Sequence, residues 1–94
     1  MKPVVILVMY TAKDGMREKF LDEVISSGVP ELVRAENGCI QYDYFYAAED
    51  KNTILLLEKW ESAEHQKYHM TMPHMETLTY LKDKYIVDTK VTFL

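Results

Sequence analysis

The spacing of apolar residues switches back and forth along this chain, and the order of the switches leaves few folds open. Pro3-Val4-Val5-Ile6-Leu7-Val8-Met9-Tyr10 is apolar on both alternating faces, the pattern of a central strand covered on both sides. Met16, Phe20 and Val24 then recur every fourth residue, joined by Leu21 and Ile25, with Arg17, Glu18, Asp22 and Glu23 opposite. That spacing predicts an amphipathic helix, with Asp14 as its N-cap. Gly28 and Pro30 interrupt it and permit a short further turn through Leu32 and Val33.

Asn37-Gly38 is a turn signal, and Cys39 to Ala48 reads as a strand with Ile40, Tyr42, Tyr44 and Tyr46 on one face. The polar loop Glu49-Asp50-Lys51-Asn52 leads into a third strand, Thr53 to Trp60, so the pair reads as an antiparallel hairpin. Ser62 is the expected cap of a second helix, supported by Glu64 in its first turn. Pro73 ends or kinks that helix, a further helical piece runs from about Met75 to Lys82, and Ile86 to Phe93 closes the sheet. The order β-α-β-β-α-β predicts a ferredoxin-like α+β sandwich, two helices on one face of an antiparallel sheet. The other face is apolar too and lacks a helix, which predicts a homodimer with a second copy as the cover.

Composition narrows the functional classes. The 94 residues, 48% hydrophobic and 28% charged, predict one folded domain over 1–94. A net charge of -4 argues against nucleic acid as a partner, which would require a basic face. The lone Cys39 makes no internal disulfide, and the first strand has neither the flanks nor the cleavage site of a secretion signal. No apolar run approaches the roughly 20 residues that span a bilayer. A cytoplasmic protein with no membrane partner is the expectation.

The stretch from Glu58 to His74 holds the one tryptophan and all three histidines. His65 and His69 share a helix face, with His74 or Glu58 in reach as a third metal ligand. The stretch lacks the Glu of a His-Glu-x-x-His motif and any cysteine pair, so no metal is expected. His69 suits a general base, because imidazole changes charge near neutral pH. Trp60 would wall a slot for a flat substrate, Tyr42, Tyr44 and Tyr46 would extend the wall and orient a polar edge, and Tyr68 and Glu58 are further candidates for substrate binding. Each has a plainer reading: Trp60 as core, His65 as surface, the tyrosines as cross-strand packing, and Glu58 in an ion pair with Lys82 or Lys84.

Asn37-Gly38-Cys39-Ile40-Gln41-Tyr42, Glu58-Lys59-Trp60-Glu61-Ser62 and His69-Met70-Thr71-Met72-Pro73-His74, in that order, resemble the antibiotic biosynthesis monooxygenase family. The resemblance implies a small dimeric α+β barrel that oxidises an anthrone or hydroquinone to a quinone with molecular oxygen. It implies no metal, flavin or other cofactor, and it points to Trp60, His69 and His74 as catalytic with Glu58 in support. Haem-degrading relatives carry an asparagine in the first strand, which Val4 to Tyr10 lacks. Another branch isomerises a small phosphorylated signalling sugar and shares the Thr-x-Pro-His ending at Thr71 to His74. A binding module without catalysis is the third alternative.

Overall fold

The computed structural model describes residues 2–94, and its sheet is built outward from the apolar run near the start of the chain. β1 (Val4–Ala12) pairs antiparallel with β3 (Thr53–Trp60) on one side and with β4 (Ile86–Phe93) on the other. β2 (Cys39–Tyr46) joins the outer edge of β3, so the strand order is β2-β3-β1-β4. This is the ferredoxin-like antiparallel arrangement.

The helices α1 (Arg17–Ser26), α2 (Val29–Arg34), α3 (Ala63–His69) and α4 (Met75–Tyr85) all lie on one face. Phe20, Val24, Val29, Val33, Leu78, Leu81 and Tyr85 descend from them onto Ile6, Val8, Tyr10, Tyr42, Ile54, Leu56 and Trp60. Phe20 sits edge-on between Tyr10 and Tyr85, with ring centroids 6.0 and 6.2 Å away. Such edge-to-face pairs add a little to their burial.

Among the described residues, no helix covers the opposite face. Val5, Leu7, Leu55 and Leu57 are half-buried there, and Met9 and Phe45 are exposed. β1 is therefore covered on one side only within the chain, not on both. Among the described residues, no helix is long and apolar enough to cross a membrane.

Local details depart from the sequence reading in five places. Asp14 does not cap α1, whose N-cap is Met16 with no side-chain bond. Its carboxylate accepts instead from Asn52 Nδ2 at 3.1 Å, tying the β1–α1 loop to the β2–β3 turn. Ile25, which lies about 140° around the helix from Phe20, is exposed rather than part of the core stripe. Pairing shifts between Cys39 and Gln41, a bulge that exposes Ile40 and packs Cys39 against the core in its place. β2 stops at Tyr46, where the Arg17 guanidinium lies 4.0 Å from the ring centre, and α4 runs on past Lys82 to Tyr85.

Candidate functional site

The site begins with the alternation of β3. Ile54, Leu56, Glu58 and Trp60 all point to the helix face, which places a carboxylate among apolar side chains. Trp60 Nε1 donates to Glu58 Oε1 at 3.0 Å, so two residues of one strand satisfy each other inside the core. Burial pushes the Glu58 carboxyl above its ordinary value, only partly opposed by the indole N–H and the nearby His69 and Lys82.

α3 follows two residues after Trp60. Ser62 caps it as expected, its Oγ accepting from the His65 N–H at 3.3 Å. This tight connection swings His69 back over the strand it came from. Its ring lies 4.5 Å from that of Trp60, tilted by 32°, and is 1% exposed.

Glu36 completes the arrangement, and the sequence reading missed it. It lies in the turn after α2, beside Asn37-Gly38. Gly38 holds φ 87, and a side chain there would collide with the His65 ring. The Glu36 carboxylate is 6% exposed and accepts from His69 Nδ1 at 2.9 Å and from His74 Nε2 at 2.7 Å, both through Oε2. A carboxylate takes only donors, so Nδ1 of His69 carries the proton and Nε2 is left free.

The His69 side chain lines a cavity of about 140 Å³ between the sheet and the α3–α4 pair. Tyr42, Leu56 and Glu58 form its floor; Gln66, His69, Leu78 and Lys82 form its roof; Val91 and Phe93 of β4 flank its side. A dry cavity of about 150 Å³ holds one benzene ring, so this one accommodates a single aromatic ring. Burial, with Tyr44 close by, keeps the Tyr42 hydroxyl protonated, a donor rather than a base. Burial and the carboxylates of Glu36 and Glu58 push the Cys39 thiol up, which makes it a poor nucleophile.

Of the residues singled out in the sequence, His69, Tyr42 and Glu58 line the cavity. Trp60 is 0% exposed and backs His69 instead of walling the cavity. His74 reaches the site only through Glu36. The Tyr44 hydroxyl pairs with that of Tyr42 at 3.3 Å, but its ring opens on a separate hollow beside Arg34 and Asp43. Tyr68 is 69% exposed and points outward beside His65. His65 itself bonds Ser62 Oγ through Nδ1 at 2.7 Å.

The donor atoms of Glu36, His69 and His74 lie within 4.8 Å of one another, a spread that a divalent cation could bridge. Both nitrogens nevertheless close on one oxygen at hydrogen-bond length. Oε2 thus stands between them, and the three groups satisfy one another.

The profile described as antibiotic biosynthesis monooxygenase matches residues 3–78, from β1 into α4. The chain belongs to this family. The protein named "Putative monooxygenase YcnE" of Bacillus subtilis (strain 168) is 34% identical over 73 residues, 78% of this chain and 75% of that one. PA3566 of Pseudomonas aeruginosa has the same fold, with TM-score 0.85 at 23% identity over 100% of this chain and 93% of its own. Rv0793 of Mycobacterium tuberculosis superposes with TM-score 0.85 at 22% identity, covering 99% and 93%. Membership of the antibiotic biosynthesis monooxygenase family supports a monooxygenase-like role on a small molecule. The matched span includes Glu36, Glu58, Trp60, His69 and His74.

Glu58 yields a prediction on stability. A carboxyl whose folded value lies above its unfolded one contributes stability below the unfolded value, and this is lost as pH rises through the folded value. Glu58→Gln keeps an acceptor for Trp60 and removes the charge. Urea unfolding should therefore give a higher midpoint for the variant at pH 8 and matching midpoints near pH 4. A wild type that is the more stable at pH 8 would contradict the assignment.

Proposed function

We propose that the protein is a cofactor-independent monooxygenase that oxidises a single-ring phenol or hydroquinone with molecular oxygen. The observation that supports this most is the His69 imidazole, held on Glu36 by Nδ1, with Nε2 free at a cavity of one-ring size. His69 removes the phenolic proton, and the electron-rich phenolate itself reduces oxygen. One oxygen atom enters the ring at a free position and the other leaves as water. A phenol becomes a quinone and a hydroquinone becomes a hydroxyquinone. The ring supplies all four electrons, so no outside reductant is needed.

Lys82 at the cavity offsets the negative charge that forms on phenolate and reduced oxygen. Tyr42 donates its hydroxyl to a substrate oxygen, and the Trp60–Glu58 pair holds the roof and floor in register. The experiment is an oxygen-electrode assay over a panel of single-ring phenols and hydroquinones. One oxygen should be consumed per quinone formed, without accumulation of hydrogen peroxide. Turnover of a phosphorylated carbonyl compound that continues without oxygen would replace this reading with the isomerase.

The working unit is a homodimer in which a second copy covers the free sheet face. Leu57 and Leu7 are directly paired at its centre. Leu57→Glu would set a charge at that centre, against which burial strongly discriminates. Analytical ultracentrifugation should find a dimer for the wild type and a monomer for the variant; two monomers would rule the dimer out.

A further inference from the structure

Three side chains line up from the cavity to the surface, and only the first is needed to take a proton. His69 is 1% exposed, Glu36 6% and His74 13%. The two imidazoles meet on the same carboxylate oxygen, from a helix end on one side and a loop on the other. The remaining nitrogen of each ring, Nε2 of His69 and Nδ1 of His74, bonds no protein atom and is not among the sealed-off polar atoms of the described residues.

A proton received by His69 needs an exit. A substrate ring in the cavity separates His69 from bulk water, and the other titratable groups there give no route. Glu58 is held by the Trp60 indole N–H, which cannot pass a proton on. Tyr42 bonds Tyr44, and neither Lys82 nor Tyr10 hydrogen-bonds His69 among the described residues.

We propose that His69, Glu36 and His74 form a proton conduit from the cavity to solvent. This rests on the reading of His69 as the group that takes the substrate proton. At the start Nδ1 of His69 and Nε2 of His74 each donate a proton to the Glu36 carboxylate, and His74, an imidazolium, carries its second proton on Nδ1. The substrate O–H breaks as an N–H forms on Nε2 of His69. The Nδ1 proton crosses to Glu36, and His74 keeps its Nε2 proton while its Nδ1 proton leaves to water. One proton enters, one departs, and both contacts still hold a proton. Reverse transit returns a proton when reduced oxygen leaves as water. His74 is thus a positioning and relay residue that never touches substrate.

The test compares the wild type with His74→Gln, whose amide still donates to Glu36 but cannot relay, and with Glu36→Gln, which keeps the shape without the exchangeable proton. Both variants should show kcat lowered roughly 10–100-fold with KM little changed. Imidazole buffer should restore most of the loss in His74→Ala. A readout that needs no substrate is nitrogen-15 NMR of the histidine rings. The Nδ1 proton of His69 should exchange with water at least several-fold more slowly in His74→Gln than in the wild type. If exchange slows but no phenol supports oxygen uptake, the conduit stands and the oxygenase reading falls. If wild type turns over while both variants keep its kcat and exchange rate, the conduit falls and the oxygenase reading stands. Stoichiometric zinc in the purified protein, with turnover lost to a chelator, would overturn the conduit in favour of a metal centre.

Discussion

His69→Gln should lower turnover of a phenolic substrate by roughly 10²–10⁴-fold, the contribution of a positioned general base. Glutamine retains an N–H for Glu36, so the buried carboxylate keeps a donor and the turn before β2 keeps its anchor. What it lacks is a nitrogen lone pair of suitable basicity at the cavity. The loss should fall on kcat, because Tyr42, Leu56, Glu58 and Lys82 still define the binding space. Circular dichroism should show an unchanged fold. A variant with more than about a tenth of wild-type kcat would mean that the base lies elsewhere, and Glu58 would then be the group to replace. The measurement therefore separates the two proton acceptors at the cavity.

What the sequence revealed follows from how local each interaction is. β3 was legible because its four inward positions are alternate residues of one strand and all four are buried. The neighbourhood of Glu58, Trp60 and His69 was legible for a related reason. One capped turn at Ser62 joins the strand to the helix, so nearness in sequence becomes nearness in space. Glu36 was not legible, since its contact with His69 spans 33 residues and exists only once α3 has folded over the turn before β2. An acidic residue ahead of Asn37-Gly38 has no local mark that distinguishes it from a solvated loop carboxylate.

The misplacements have equally physical causes. Tyr68 is expected at the slot and directly precedes His69, yet one helical step is about 100° of rotation, and that step turns its ring to solvent. His65 shares the His69 face by spacing but is drawn to Ser62 and the open space over Gly38. Ile40 follows the alternation of the tyrosines until the bulge inserts one residue and reverses it. Asp14 is a good cap by type, but Asn52 competes for its carboxylate across the sheet end. In each case a tertiary partner overrides a local rule.

Trp60→Ala should lower the unfolding free energy by about 3–5 kcal/mol, in the range for a large aromatic removed from a core. Against a total of about 5–15 kcal/mol for a domain of this kind, the variant should be marginal at 37 °C. Three losses coincide: the largest fully buried side chain, the surface under the His69 ring, and the donor to Glu58. Trp60→Phe separates them. Phenylalanine refills most of the volume and keeps a ring beneath His69, but it leaves Glu58 Oε1 without its N–H, a loss of about 1–3 kcal/mol. The missing donor also removes what holds the Glu58 charge down, so the Trp60→Phe deficit should grow as pH rises and shrink toward pH 4. Urea unfolding at the two pH values checks both parts. Equal deficits at both would make Trp60 a space-filler whose indole nitrogen is incidental. A deficit that grows with pH means that the tryptophan holds a buried carboxylate in place at the edge of the cavity, and that the core and the site are stabilised by the same side chain.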